Sequence, residues 1–91
     1  MTLSRPFLHA GQSYEVRATH ERDAMEIGVY GRNKLVSTVG LLRDELIFAA
    51  KTDRDIDLVN SAMSIAQSEF EAGRVENIVI AIQALNEAPA Q

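Results

Sequence analysis

The chain of 91 residues contains no cysteine and no tryptophan, and only two prolines and five glycines. Without cysteine it cannot form disulfide bonds, thiolate metal sites or iron–sulfur clusters, and it has no cysteine nucleophile. Because proline and glycine are scarce, no stretch is typical of a linker, and the length fits one domain. We therefore predict a single small domain over residues 1–91.

Long apolar runs are missing as well. No stretch approaches the ~18 apolar residues that a membrane-spanning helix needs. Residues 1–8 lack the uninterrupted apolar core of a signal peptide. We therefore expect a cytoplasmic protein that does not enter a membrane.

Positive charge is scarce in the second half of the chain. The net charge is −4, and residues 55–91 carry one basic residue against six acidic ones, whereas residues 1–54 carry eight against seven. An acidic surface repels phosphate backbones and anionic lipid. We interpret the excess as solvated helix faces, with an acidic docking patch as the alternative.

The first half has the pattern of strands. Apolar and polar residues alternate over 14–19 and again over 25–30, which is the signature of half-buried strands. Gly31 and Asn33 tolerate positive φ and predict a tight hairpin connection. The β-branched stretch 35–39 then predicts the last strand of a three-stranded antiparallel meander over residues 12–40, and residues 1–11 remain as an N-terminal arm.

The second half, residues 41–88, has the pattern of helices. Good helix formers over 41–51 favour a short helix. A fourth strand over 45–50, with Leu46 and Phe48 facing inward, is the alternative. Further on, Thr52 and Asp55 have the spacing of a capping box, and an apolar stripe at helical spacing follows. We predict a helix from about Asp53 to Ala72 that ends at Gly73.

Five consecutive apolar residues, Ile78 to Ile82, dominate the last segment. A surface helix needs only an apolar stripe, so this run has to be covered on more than one side. We predict a helix from Val75 to about Glu87, because helix formers follow the run. A strand over 75–82 is the alternative, since the run is rich in β-branched residues. Residues 89–91 are expected to be a frayed tail.

No pattern of residues predicts catalysis or metal binding. His9 and His20 lie in a terminal segment and a turn, whereas a metal site needs converging, rigidly held ligands. None of the serines lies in a Gly-x-Ser-x-Gly turn. We therefore expect no enzyme activity, no catalytic residues, no metal and no cofactor.

Nucleic-acid binding through the exposed face of the sheet and the 31–34 turn is an alternative function. The candidate contacts are Arg17, Tyr30, Arg32 and Lys34. Acidic residues are interspersed among them, and a single tyrosine is not a stacking platform for bases. The sequence pI of about 5.0 also disfavours a nucleic-acid partner.

The interaction hypothesis depends on Ile80, which falls opposite the buried stripe of the last helix. With Val79 and Ala84, and with Phe7 and Leu8 if they lie nearby, it would form an apolar patch of the kind that marks interfaces. Residues 41–51 or the N-terminal arm could instead cover it within the same chain. We predict an α+β domain with a three-stranded antiparallel meander followed by two or three helices packed on one face. Its expected function is non-catalytic protein–protein interaction, with a partner protein or as a homodimer through the last helix.

Overall fold

An antiparallel sheet forms the first half of the protein, and the structure, a computed structural model, describes residues 2–87. Its strands are β1 (Thr2–His9), β2 (Gln12–Glu21), β3 (Ala24–Gly31), β4 (Lys34–Leu35) and β5 (Gly40–Arg43). The order across the sheet is β1-β2-β3-β4, and β5 also pairs with β3. Because β4 pairs with the end of β3 and β5 with its beginning, the two short strands share one edge.

Tight two-residue turns connect the first four strands. Ala10 and Gly11 have φ values of 52° and 77°, and Arg32 and Asn33 have values of 55° and 64°. Positive φ at both central residues is the hairpin geometry that matches the natural twist of paired strands. Gly31 is instead the last residue of β3, where an added Cβ would lie 2.9 Å from the Tyr14 ring.

Three helices follow the sheet. They are α1 (Asp44–Arg54), α2 (Leu58–Glu71) and α3 (Ile78–Glu87), and a short 3-10 turn over Val75–Asn77 leads into α3. At the start of α2 the Asp57 carboxylate accepts a 3.0 Å hydrogen bond from the backbone N–H of Asn60. This bond satisfies one of the N–H groups that every helix start leaves unpaired.

One core lies between the sheet and the helices. Its fully buried side chains come from β2, β3, β5, α2 and α3, and include Val16, Ile27, Val29, Leu42, Ala62, Ile78 and Ile82. The α+β fold, with an antiparallel meander followed by helices that cover one face, is confirmed.

The sheet has an additional strand at the N-terminal end of the chain that was not predicted. The segment expected to be an N-terminal arm forms β1, which pairs with β2 along its whole length. The strand expected over 35–39 is in contrast limited to Lys34–Leu35. The reason is that the Ser37 hydroxyl accepts the backbone N–H of Val29 at 2.9 Å, so a side chain replaces the backbone partner there.

The boundaries around α1 and α2 also differ from the prediction. The alternative of a strand over 45–50 is wrong, because these residues lie in α1. The predicted helix start at Asp53 is wrong too, since Thr52 belongs to the last turn of α1. Asp55 then adopts φ 54°, which ends α1, and Asp57 caps the next helix. The helix predicted from Val75 is confirmed, although its first turn is 3-10. The expected tail over 89–91 lies outside the described residues.

Candidate interaction surface

Helix α3 is fixed to the sheet by its buried side. Ile78 and Ile82 are fully buried in the core. Gly40 at the start of β5 faces Ile82, and an added Cβ at position 40 would lie 2.5 Å from the Cβ of Ile82. The missing side chain therefore allows α3 to approach β5 closely.

The N-terminal end of α3 is held by Thr38. Its hydroxyl accepts the backbone N–H of Val79 at 3.1 Å and donates to the carbonyl of Val75 at 3.0 Å. The N–H group of Val79 lies in the first turn of α3, where a helix leaves its backbone donors without an α-helical partner. Thr38 thus acts as a cap from a distant part of the chain.

The C-terminal end of α3 is held by Asn86. Its side-chain Nδ2 donates to the carbonyl of Leu41 at 2.6 Å, and its Oδ1 accepts the backbone N–H of Arg43 at 3.2 Å. A neighbouring strand would form hydrogen bonds with the same carbonyl and N–H groups of β5. The amide of Asn86 therefore takes the place of a strand at the edge of β5.

The opposite side of α3 is open. Ile80 is 65% exposed and Val79 is 38% exposed, and Ala84 one turn further on is exposed as well. We call these three residues the α3 surface. Leu41 is 50% exposed and, together with Gln83 of α3, lines a shallow depression between β5 and α3.

Ile80 is left exposed by both segments that could have covered it within the chain. Residues 41–51 form the end of β5 and most of α1, and β1 lies at the other edge of the sheet from β5. Phe7 packs against Tyr14 and Phe70, with ring centroids 5.8 Å apart in both pairs. It therefore does not contribute to the α3 surface.

Carboxylates stand at both ends of the α3 surface. Glu76 in the 3-10 turn and Glu87 in the last turn of α3 are exposed. Within residues 2–87 neither forms a salt bridge, whereas Arg74 binds Glu69 at 2.7 Å and Arg43 binds Glu45 at 3.2 Å. The α3 surface is thus an apolar strip with an uncompensated negative charge at each end.

The residues proposed for nucleic-acid contact lie together on the other face of the sheet. Arg17 forms a salt bridge with Glu15, donates to Asn33 Oδ1 at 2.8 Å, and lies 4.3 Å above the centre of the Tyr30 ring. Hydrogen bonds from Arg17 first and from Ser4 next lower the pKa of the Glu15 carboxyl. The charge of Arg17 is therefore compensated within the chain, while Arg32 in the adjoining turn and Lys34 at the start of β4 remain exposed.

The two histidines are kept apart. His9 is at the end of β1, with its ring 5.6 Å from that of Phe70, and His20 is near the other end of β2. His20 Nε2 lies 2.6 Å from the carboxylate of Asp44 and so links β2 to α1. Over the described part of the chain, no group of three or more His, Cys, Asp or Glu residues is arranged to hold a metal ion.

Thr38, Gly40 and Asn86 are the residues of this region that sequence reasoning missed. Their roles depend on partners about 37 to 45 positions away in the chain, and no local pattern marks such contacts. Gly40, which follows a β-branched stretch, carried the one available signal, since a glycine in a strand often marks a close approach of another element.

Comparison with known proteins identifies no relative. No protein-family model, no curated protein and no solved structure matches the chain. Among residues 2–87, none of the helices has the length and apolar character that crossing a membrane requires.

Proposed function

We propose that the protein is a non-catalytic protein–protein interaction module that binds a different protein through the α3 surface. The observation that carries this proposal is the exposure of Ile80 on a helix that is held firmly by Ile78 and Ile82. Full burial of one such side chain contributes about 1.5–3 kcal/mol. A rigid helix loses little conformational freedom on binding, so more of this gain remains available as affinity.

Charge favours a different protein over a second copy of the chain. Two copies that pair through the α3 surface would be related by a two-fold axis, so the same patch would meet itself. An antiparallel pair of helices centred on this surface brings Glu76 against Glu87 of the other copy, and a parallel pair brings each glutamate against its own equivalent. Both arrangements place like charges together, and this repulsion disfavours pairing with a second copy of the chain.

The nucleic-acid alternative stays a prediction and gains no support from the geometry. Binding to a phosphate backbone depends on cations that are free to replace counterions. Arg17 is engaged by Glu15, Asn33 and the Tyr30 ring.

Site-specific photo-crosslinking tests the proposed function. A photoreactive amino acid is placed at Ile80 in cells that produce the protein, with Phe48 as the matched control position. Phe48 is 72% exposed on α1, a helix that packs mainly on α2 and β5. We expect one discrete adduct from position 80 that is reduced by Val79→Asp and is absent from position 48. An equal adduct from both positions, or none from position 80, would contradict the proposal.

Light scattering of the purified protein tests the choice of partner. At tens of micromolar the expected mass is that of the monomer, 10.0 kDa. A dimer that Ile80→Asp converts to a monomer would show instead that the α3 surface binds a second copy.

A further inference from the structure

The shape of the α3 surface limits what can bind there. Ile80 and Ala84 are one turn apart and form a single ridge along the helix. Ala84 is small, so the backbone of another helix can come close at that end, as in ridge-into-groove packing. The depression lined by Leu41 and Gln83 lies beside this ridge and provides a groove for a second row of side chains.

The two glutamates at the ends of the α3 surface define the spacing between charges that a bound molecule has to match. Glu76 and Glu87 are eleven residues apart, which corresponds to roughly 16 Å along the helical rise. Arg43 lines the same depression as Glu87, but it already binds Glu45 at 3.2 Å. A molecule that covers the two glutamates and removes their water therefore gains from placing a positive charge opposite each of them.

We infer, on the basis of the proposed function, that the partner presents an amphipathic helix with basic residues at both ends of its contact. Its apolar side chains recur at helical spacing and pack on Val79, Ile80 and Ala84. A lysine or arginine about three turns from another then faces Glu76 at one end and Glu87 at the other. An antiparallel orientation also opposes the two helix dipoles favourably.

Two synthetic peptides of about 18 residues test this inference. Both contain leucines at helical spacing and alanine elsewhere on the same face, and they differ only in having lysine or glutamate at two positions eleven residues apart. Binding is followed by two-dimensional amide NMR of the labelled protein. We expect the lysine peptide to shift the signals of residues 76–87 and Leu41, and the glutamate peptide to bind at least ten-fold more weakly.

Variants of the protein identify which charges matter. Glu76→Gln combined with Glu87→Gln should weaken the lysine peptide about three- to thirty-fold, because exposed ion pairs have modest strength. Glu71→Gln, an exposed glutamate on α2, is the matched control and should have no effect. Raising the salt concentration should reduce the affinity of the original protein but not that of the double variant.

The outcomes separate this inference from the function it rests on. Equal binding of both peptides, or signal shifts outside residues 75–87 and β5, would overturn the basic helical partner while leaving the crosslinking result at position 80 unaffected. Lysine-peptide binding that survives Ile80→Ser in a folded variant would overturn it as well. Absence of a crosslink at position 80, in contrast, would remove the docking surface itself.

Discussion

Gly40 and Ile82 are in such close contact that any side chain at position 40 would overlap Ile82. The added Cβ would lie 2.5 Å from the Ile82 Cβ and 2.8 Å from two of its other carbons. Ile82 is fully buried and branched at Cβ, so it cannot move aside. The position of α3 on β5 therefore depends on this glycine.

Gly40→Ala should accordingly destabilise the protein by about 1–3 kcal/mol, the usual cost of overpacking a core. Urea unfolding followed by circular dichroism measures the change. Gly28→Ala is the matched control, since its added Cβ would meet the end of the half-exposed Leu35 side chain at 3.0 Å. The explanation fails if Gly40→Ala is no more harmful than Gly28→Ala.

Asn86→Leu should destabilise the protein by about 1–3 kcal/mol. The substitution removes the hydrogen bonds to the carbonyl of Leu41 and from the N–H of Arg43, and each such bond contributes about 0.5–1.5 kcal/mol net. Gln83→Leu on the same helix is the control and should change the urea midpoint little. Hydrogen exchange at the Arg43 amide gives a second readout, and its rate should rise in Asn86→Leu; an unchanged rate would show that the bond contributes nothing.

Glu15 should make stability depend on acid pH. Its pKa is lowered in the folded protein by hydrogen bonds from Arg17 and then Ser4. A lowered folded pKa gives stability that is present above the unfolded value of about 4.3 and is lost as the pH falls through the folded pKa. Glu15→Gln should therefore unfold more easily at pH 6 and equal the original protein at the lowest pH. If the difference does not shrink on acidification, or persists unchanged with Arg17→Met, the assignment is wrong.

Ala10→Asn should stabilise the protein by about 0.5–1 kcal/mol. Ala10 has φ 52°, in a region that costs an ordinary L-residue about 1–2 kcal/mol and that asparagine tolerates. The change also produces an Asn-Gly sequence, the most favourable one for this turn. The midpoint of thermal unfolding is the measurement, and Ala49→Asn within α1 should lower it. A lower midpoint for Ala10→Asn would contradict the turn geometry.

Asn60→Asp should stabilise the protein at low salt by about 0.5–1 kcal/mol. Arg5 donates to Asn60 Oδ1 at 3.1 Å and to Ser64 Oγ at 3.2 Å, and its Nε is buried without a hydrogen-bond partner. No carboxylate forms a salt bridge with Arg5 within residues 2–87, so an aspartate at position 60 would supply one. The gain should diminish in high salt and in an Arg5→Met background; a gain of equal size in both would assign it to the helix start alone.

The spacing of apolar residues, at every second position in β2 and β3 and at helical spacing in α2, was sufficient to predict these two strands and the body of this helix. In these elements the periodicity coincides with burial, as Val16, Ala18 and Ile27 show. The same logic placed Ile80 opposite the buried side of α3, where the structure has it.

Segments whose structure depends on distant contacts could not be predicted in this way. In β1 the alternation of apolar and polar residues is broken by Arg5, whose charged side chain faces the helices. It donates hydrogen bonds there to Asn60 and Ser64 of α2. The loop at 36–39 has strand-like composition, yet Ser37 and Thr38 use their hydroxyl groups to bind β3 and α3 instead of continuing a strand. Local propensity yields to tertiary structure at such positions.

The amide of Asn86 also decides how far sheets of this protein can associate. A fibre grown edge to edge needs two free edges per molecule, one for each neighbour. At the β5 edge the Leu41 carbonyl and the Arg43 N–H are already bonded to Asn86, and β4 comprises two residues. Of the described strands this leaves β1 as the one long free edge. Edge-to-edge pairing of sheets would therefore stop at two molecules and would not propagate into filaments.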